Sequence, residues 1–388
     1  MSITIYHKLG KIPHKRHTQF RKENGELYAE ELFGAEGFSG SSALLYHDFP
    51  PTRVKKVSQG KEIKIEAAGK YELRHHHLFS ANVPEGGDPI ESRVTLLFNN
   101  DIQIALARPT EKMDYFYRNG EHDEMLFIHE GTGYVQTQFG RLPFKEWDYI
   151  IIPRGTTYQM VFNEGPARYL YTDSTGPIEY PKRYLSEFGQ FLENSPFCER
   201  DFRLPEEPLH HESTEESYEL RIKKQGVYHI YEMQHHPFGI VGWDGYLYPY
   251  IFNIKDFEPI TGRVHQPPPV HQTFAAHNYV VCSFVPRKFD YHPLSIPAPY
   301  NHSNVDSDEV LYYVHGDFMS RKGVDWASIT LHPGGIPHGP HPGTVEKSIG
   351  AEGTEEYAVM IDTFKPLYVT KEGMTLDDPK YPYSWIED

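Results

Sequence analysis

Cysteine is nearly absent: Cys198 and Cys282 are the two thiols in 388 residues. Two are too few for a disulfide framework, which excludes the small stapled scaffolds of secreted proteins. No apolar run approaches the roughly 20 residues that a membrane-spanning helix needs. Positive charge is in deficit, with 38 Lys and Arg against 54 Asp and Glu and a net charge of −16. A surface of that sign repels phosphates, so no nucleic acid is expected as a partner. It offers no basic patch to an anionic membrane either. The opening Met1-Ser-Ile-Thr-Ile-Tyr-His-Lys8 has no apolar core of the signal-peptide kind. A cytoplasmic protein is the expectation.

What the chain has instead is aromatic side chains, 28 Tyr and 23 Phe, together with 31 Gly and 31 Pro. Aromatic residues favour strands, and the Gly and Pro supply turns between many short ones. The length suits two domains. Histidine is also frequent, at 23 residues, but a count by itself names no site. The run Arg74-His75-His76-His77 does not read as a metal site. Successive strand residues point to opposite faces, so the three imidazoles cannot all reach one ion.

A sharper signal lies between residues 297 and 341. His302 and Glu309 are seven residues apart, and His338 follows 29 residues later. Two imidazoles and a carboxylate can hold one face of a divalent iron and leave the other face open for substrate and oxygen. Val310-Leu-Tyr-Tyr-Val314 reads as a strand that Glu309 opens and Gly316 closes. Residues 326–332 read as a later strand, after which Pro333-Gly-Gly335 turns the chain towards Ile336-Pro-His-Gly339. A small β-barrel brings the three groups to one mouth. This order, with Pro-His-Gly at the third ligand, resembles a cupin site.

The pattern recurs inside the chain. Tyr117-Arg-Asn-Gly-Glu-His-Asp-Glu124 runs in step with His302-Ser-Asn-Val-Asp-Ser-Asp-Glu309. Further on, Ile152-Pro-Arg-Gly155 parallels Ile336-Pro-His-Gly339. The fold expected is therefore mainly β, a bicupin of two β-barrel (jelly-roll) domains with few helices. On this alignment Tyr117, Glu124 and Arg154 match His302, Glu309 and His338. Arginine has no lone pair to give a cation, so the first barrel is read as metal-free, with an ion pair between Glu124 and Arg154.

In chain order, residues 1–198 hold a basic arm, free or partner-binding over the first 25 residues, and the metal-free barrel. Tyr184, Leu185, Phe188, Phe191 and Leu192 recur at helical spacing after Pro181, which predicts a helix over 181–193. Residues 199–220 are acidic and low in apolar content, an expected linker. Residues 221–388 form the metal-binding barrel. Cys282 reads as a buried small hydrophobe, and the tail from Lys371 as polar.

Over most of its length the chain resembles the homogentisate 1,2-dioxygenase family. The likeness is carried by Leu27-Tyr-Ala-Glu30, Val241-Gly-Trp-Asp-Gly-Tyr-Leu-Tyr-Pro-Tyr250, Pro299-Tyr-Asn-His302, Glu309, Leu331-His332, Pro337-His-Gly-Pro340 and Leu367-Tyr-Val-Thr-Lys371, and more loosely by Lys223-Lys-Gln-Gly226. The resemblance implies a bicupin, Fe(II) as cofactor and oxidative opening of a 1,4-dihydroxylated benzene ring by O₂. The substrate implied is a small aromatic, homogentisate or a close analogue. The implied iron ligands are His302, Glu309 and His338, and His332 is the implied substrate-holding and catalytic imidazole. A homo-oligomer, trimer or hexamer, is also implied. Manganese accepts the same ligand set.

Two positions depart from the family pattern. The family's Trp-His-Gly, whose His acts as a base on a ring hydroxyl, is here Trp243-Asp244-Gly245. A substrate-positioning Tyr falls on Phe318. Asp244 can itself take a phenolic proton if it lies within reach. His265, His271 and His277 are the other candidates, and a turn-forming role for Asp244 stands beside these. Gentisate- or hydroquinone-type dioxygenases, a metal-dependent cupin isomerase and a non-catalytic bicupin are the rival readings.

Overall fold

The computed structural model describes residues 5–316 and 324–386. Among these residues the strands form sheets of eight, seven, six, four and two members. Three large sheets lie in layers, and period-two alternation decides which side chains enter which layer.

The eight-stranded sheet is the middle layer. Strand Asp123–Glu130 shows why. Leu126 and Ile128 point into a core shared with the seven-stranded sheet, where they join Val135, Tyr158 and Met160. Met125 and Phe127, on the opposite face, join a second core with Val310, Tyr312, Ile329, Val359 and Ile361 of the six-stranded sheet. A strand buried on both faces reads as a near-continuous apolar run, as Met125-Leu-Phe-Ile128 does. Short helical segments fill the connections, and the two α-helices, Thr344–Ser348 and Lys371–Met374, are brief. No helix among the described residues is long and apolar enough to cross a membrane.

Three expectations about organisation are corrected. No helix spans 181–193: Lys182–Tyr184 is a single 3₁₀ turn, and Leu185 pairs with Phe191 across a tight bend. Gly189 takes φ +82° there, a left-handed conformation that a continuing helix cannot contain. Phe188, counted in the apolar stripe, is 87% exposed. Within the arm, His7–Gly10 is an ordered strand, antiparallel to Ile240–Gly245. The acidic stretch 199–220 does not separate two bodies. Phe202–Arg203 pairs with Tyr250–Asn253, and Tyr218–Lys224 runs parallel to Phe116–Asn119. Charge alone suggested solvent, but Phe202, Tyr218 and Leu220 are buried anchors within or beside that stretch. The seven-stranded sheet and most of the eight-stranded one come from strands before Asn253, and the six-stranded sheet is built mainly from strands after Gln272.

That third sheet runs in the order Gln272–Ala276, Tyr279–Phe284, Tyr357–Thr363, Asp308–His315, Ile329–His332, His76–Leu78. One of its faces packs on the middle layer. The other face, carrying Glu309, Leu311, Tyr313, Ala358, Met360 and Asp362, looks into a cavity of about 490 Å³.

Candidate metal centre

Glu309 lies near the start of strand Asp308–His315, directly opposite His332 on one side and Asp362 on the other. Its neighbour Asp308 fixes the adjoining loops. Asp308 Oδ1 accepts from the Gly334 amide at 2.8 Å, and Oδ2 accepts from the Leu367 amide at 2.7 Å. The turn Pro333-Gly-Gly335 is thereby tied to the strand, with Gly335 at φ +87°. The chain returns so that His302 and His338 exchange backbone hydrogen bonds of 2.8 and 2.9 Å. Gly339 makes this approach feasible, since a Cβ there would fall 2.1 Å from Asn301 Oδ1.

The three expected ligands therefore meet. Their ligand atoms lie within 4.8 Å of one another. Glu309 Oε2 is 3.6 Å from His302 Nε2, and Oε1 is 3.2 Å from His338 Nε2. Ligands on a first-row cation, about 2.1 Å from the ion, stand roughly 3 Å apart. The donor set fits a divalent cation on a second count. His338 is 4% exposed, and despite the closeness of Glu309 neither of its ring nitrogens makes a well-aligned hydrogen bond. Buried polar atoms are normally satisfied, and metal coordination would satisfy one of these. Burial tends to raise the Glu309 pKa. The close imidazoles of His302, His332 and His338 outweigh it, and the carboxyl sits well below the ordinary range. Across the strand, burial and the Glu309 charge push Asp362 up to about 8.

His332 is fully buried behind Glu309. Its Nδ1 is 2.9 Å from Glu309 Oε1, and its Nε2 is 3.1 Å from the Tyr381 hydroxyl. Both nitrogens are engaged within the protein, so this placement holds the carboxylate in position. Asp244 lies away from the triad, on strand Ile240–Gly245, where it accepts a hydrogen bond of 2.9 Å from Tyr6. It is not in the cavity wall. His265 and His271 are in that wall, whereas His277 packs against Gly176. Phe318 lies outside the described residues.

Two supports escaped sequence reading. The His75 ring packs 5.3 Å from His332 and 5.7 Å from His338, with its Nε2 3.1 Å from the Pro337 carbonyl. The polar-looking tail supplies Tyr381 and also Trp385, whose Nε1 donates to Gly339 at 3.0 Å. The alternation of polar and aromatic residues in Tyr381-Pro-Tyr-Ser-Trp385 was the one available signal.

The internal repeat is real, but its register differs by four residues from the sequence match. Asp123 Oδ1 accepts from the Arg154 amide, as Asp308 does from Gly334. Gly155 donates to the Asn119 carbonyl, as Gly335 does to Asn304. Ile152 stands opposite Glu124, as His332 does opposite Glu309. Arg154 thus corresponds to Gly334, and Tyr158, paired with Tyr117, corresponds to His338, paired with His302. The expected Glu124–Arg154 ion pair does not form, because Arg154 bonds to Asp123 at 2.9 Å. Glu124 is held by Arg93 at 3.0 Å and by the hydroxyls of Tyr158 and Tyr171, each at 2.7 Å. Arg93 also donates to Tyr158 at 3.0 Å and lies over the Tyr117 and Tyr171 rings. The first copy of the repeat thus sets a guanidinium beside its glutamate. Burial opposes that charge, but Tyr158, Tyr169, Tyr171 and Glu124 more than compensate and keep the Arg93 pKa well above its usual value.

One consequence is local. Asp308→Ala removes the acceptor that pins the Pro333 turn and the one that holds the Leu367 amide. We expect stability to fall by about 2 kcal/mol and metal affinity by roughly 10-fold or more, read by denaturant unfolding and by metal titration.

The chain is mainly β and carries this triad on the open face of one sheet. The homogentisate 1,2-dioxygenase N-terminal model matches residues 94–254. A Saccharolobus solfataricus protein named "Putative dioxygenase SSO1533" is 42% identical over 386 residues, 99% of each chain. Homogentisate 1,2-dioxygenase of Bradyrhizobium diazoefficiens is 25% identical over 70% of this chain and 58% of its own length. The Nitrobacter hamburgensis enzyme of that name is 28% identical over 68% of this chain and 61% of its own. Among solved structures, a cupin 2 conserved barrel domain protein from Leptotrichia buccalis is similar over 79% of this chain and 100% of its own, with 10% identity and a TM-score of 0.34. The chain belongs to the homogentisate 1,2-dioxygenase-like cupin family.

Proposed function

We propose that the protein is a non-haem Fe(II) dioxygenase that opens a 1,4-dihydroxylated aromatic ring, homogentisate or a close analogue. The observation that carries this reading is a His-Glu-His triad two of whose members, His302 and Glu309, line a cavity of about 490 Å³, within the usual range for small-molecule sites. His302, Glu309 and His338 would hold the metal; when bound, Fe(II) supplies the oxygen chemistry that side chains lack.

The chain's own residues do the rest. His332 and Tyr381 fix Glu309 from behind, and Asp308 fixes the loop that carries His338. Pro268, Pro269, Phe284, Leu311 and Met360 give the cavity an apolar wall that would exclude water from a bound ring. We assign the ring hydroxyl's proton to His265. Its Nδ1 lies 3.6 Å from Asp290 Oδ2, and its ring is 4.9 Å from Tyr300, which in turn is 6.1 Å from His302. Asp244 is assigned a structural part through Tyr6. A positioned proton acceptor contributes on the order of 100-fold or more. His265→Gln is therefore expected to lower kcat about 100-fold at unchanged iron content, and Asp244→Asn to change it less than about two-fold. The reverse ranking would return the role to Asp244.

The test of the function is oxygen uptake by anaerobically purified, Fe(II)-loaded protein offered homogentisate, gentisate and hydroquinone. Uptake with at least one supports the reading. Bound iron with no uptake from any of them contradicts it.

A further inference from the structure

A second cavity, of about 430 Å³, lies in the first copy of the repeat. It is the counterpart of the metal-site cavity. On strand Asp308–His315, Glu309 pairs with Asp362 and Leu311 with Met360. On strand Asp123–Glu130, Glu124 pairs with Asp173 and Leu126 with Tyr171. Tyr117 and Tyr171 therefore line this cavity where His302 and Met360 line the other. The proposed reaction makes no use of it.

Its inner wall holds more hydrogen-bond donors than the protein itself employs. Arg93 and Lys223 both line it, each with its side chain 8% exposed. Buried charges facing a cavity are an uncommon and often functional arrangement. Of the five N–H groups of a guanidinium, Arg93 directs three at Glu124, Tyr158 and Tyr169. Lys223 donates to Asp173 and, among the described residues, to no other group. The Tyr228 ring is 6.3 Å from Tyr117, and its hydroxyl makes no hydrogen bond among those residues. Burial pushes its pKa up to about 12, so the hydroxyl keeps its proton. Arg93 and Lys223 each retain about two spare donors, and Tyr228 one.

The buried acceptors, by contrast, are filled. Glu124 Oε1 accepts from Arg93 and Tyr171, and Oε2 accepts from Tyr158. Asp173 Oδ1 accepts from Asn119 at 2.9 Å, and Oδ2 accepts from Lys223. A ligand that satisfies this wall must therefore bring acceptors. A carboxylate offers about four lone-pair sites and a neutral carbonyl about two, so the surplus fits the charged group. At the mouth Glu62 stands 3.6 Å from Lys64, and Glu91 3.2 Å from Arg221, while Lys61 has no ion pair among the described residues. Glu372 is an exposed carboxylate on the rim. Ile63, Ile65, Ile90 and Ile230 give the remainder an apolar lining.

We propose that this cavity is a second, metal-independent ligand site that takes a small carboxylate with an apolar body against Arg93, Lys223 and Tyr228. Charge-assisted hydrogen bonds from the guanidinium and the ammonium hold the carboxylate, and the isoleucines cover the body. The site stands apart from the ring-cleaving reading, and either can fail without the other.

The experiment is calorimetric titration of the full-length protein with benzoate, benzamide and inorganic phosphate, both Fe(II)-loaded and after chelation. The chelated native protein should bind one benzoate per chain, roughly 10-fold or more tighter than benzamide. Iron should leave that affinity unchanged, and phosphate should not displace the benzoate. Tyr228→Phe removes one unbonded hydroxyl and keeps the ring, so the fold should persist. It should weaken benzoate about 10-fold and leave oxygen uptake within about two-fold of native. Lys223→Gln, where circular dichroism shows it folded, should remove the preference for benzoate over benzamide. No binding of benzoate, or equal affinity for the two, overturns the proposal. So does binding that vanishes on chelation, which would put the benzoate at the metal, or binding that Tyr228→Phe leaves unchanged. Displacement by phosphate would overturn the part assigned to the apolar wall.

Discussion

His338→Ala should lose its metal and its activity together. The side chain is buried, its ring nitrogens lack well-aligned hydrogen bonds, and its Nε2 is 3.2 Å from the Glu309 carboxylate. Removing a residue that merely supports a ligand already costs 10- to 100-fold in metal affinity, so losing a ligand should cost more than about 100-fold. Iron, expected near one per chain in the native protein, should fall to a trace after desalting, and ring-dependent oxygen uptake should fall with it. The alanine creates a small void near the surface of the sheet, away from both large cores, so the fold should persist; circular dichroism checks this. A variant that kept stoichiometric iron and full turnover would remove His338 from the site.

The second large effect is expected in the first copy of the repeat, at Glu124 and Arg93. Arg93→Ala strips Glu124 of its charged partner at a site where Glu124 is fully buried. Breaking a buried pair by removing one partner costs about 3–5 kcal/mol, because an uncompensated charge remains, whereas replacing both partners with apolar residues of similar size is often near neutral. Arg93→Ala should therefore unfold at clearly lower denaturant, and Arg93→Met combined with Glu124→Leu should recover most of the loss. Tyr158 and Tyr171, which donate to Glu124, limit the recovery because their hydroxyls then lose an acceptor. Iron content should be unchanged in every folded variant. A single mutant within about 1 kcal/mol of native stability would mean that the guanidinium does not balance the buried carboxylate.

The grouping of His302, Glu309 and His338 was legible because each lies in a short signature: Asn-His after Pro299-Tyr, Asp-Glu before an aromatic β-branched run, and Pro-His-Gly after a double-glycine turn. Strand register then had to bring them together, and it did. The repeat was legible as a repeat, but its second half was matched on a shared Ile-Pro-x-Gly string. Turn chemistry favours such strings in many places. The backbone bonds to Asp123 and Asp308 define the equivalence instead, and no residue identity announces it. For the same reason Arg93 escaped notice: it comes from a strand that the repeat comparison did not include. The missing helix over 181–193 shows the opposite error, a 3.6-residue spacing overruled by one glycine at positive φ. Asp244 was drawn to the site by its place in a motif, and strand pairing puts it with Tyr6 and Lys8. His75 and Tyr381 were hidden because their contacts with the site cross more than 40 residues of sequence.

The proposed function has this chain use the His302–Glu309–His338 site to put molecular oxygen into an aromatic ring. Turnover of the Fe(II)-loaded protein under ¹⁸O₂, followed by mass spectrometry of the product, tests it most directly. The expected result is a ring-opened product carrying both atoms of one O₂, formed by the native protein and not by His338→Ala. A product with one labelled atom or none, or labelled product from both proteins, would contradict it.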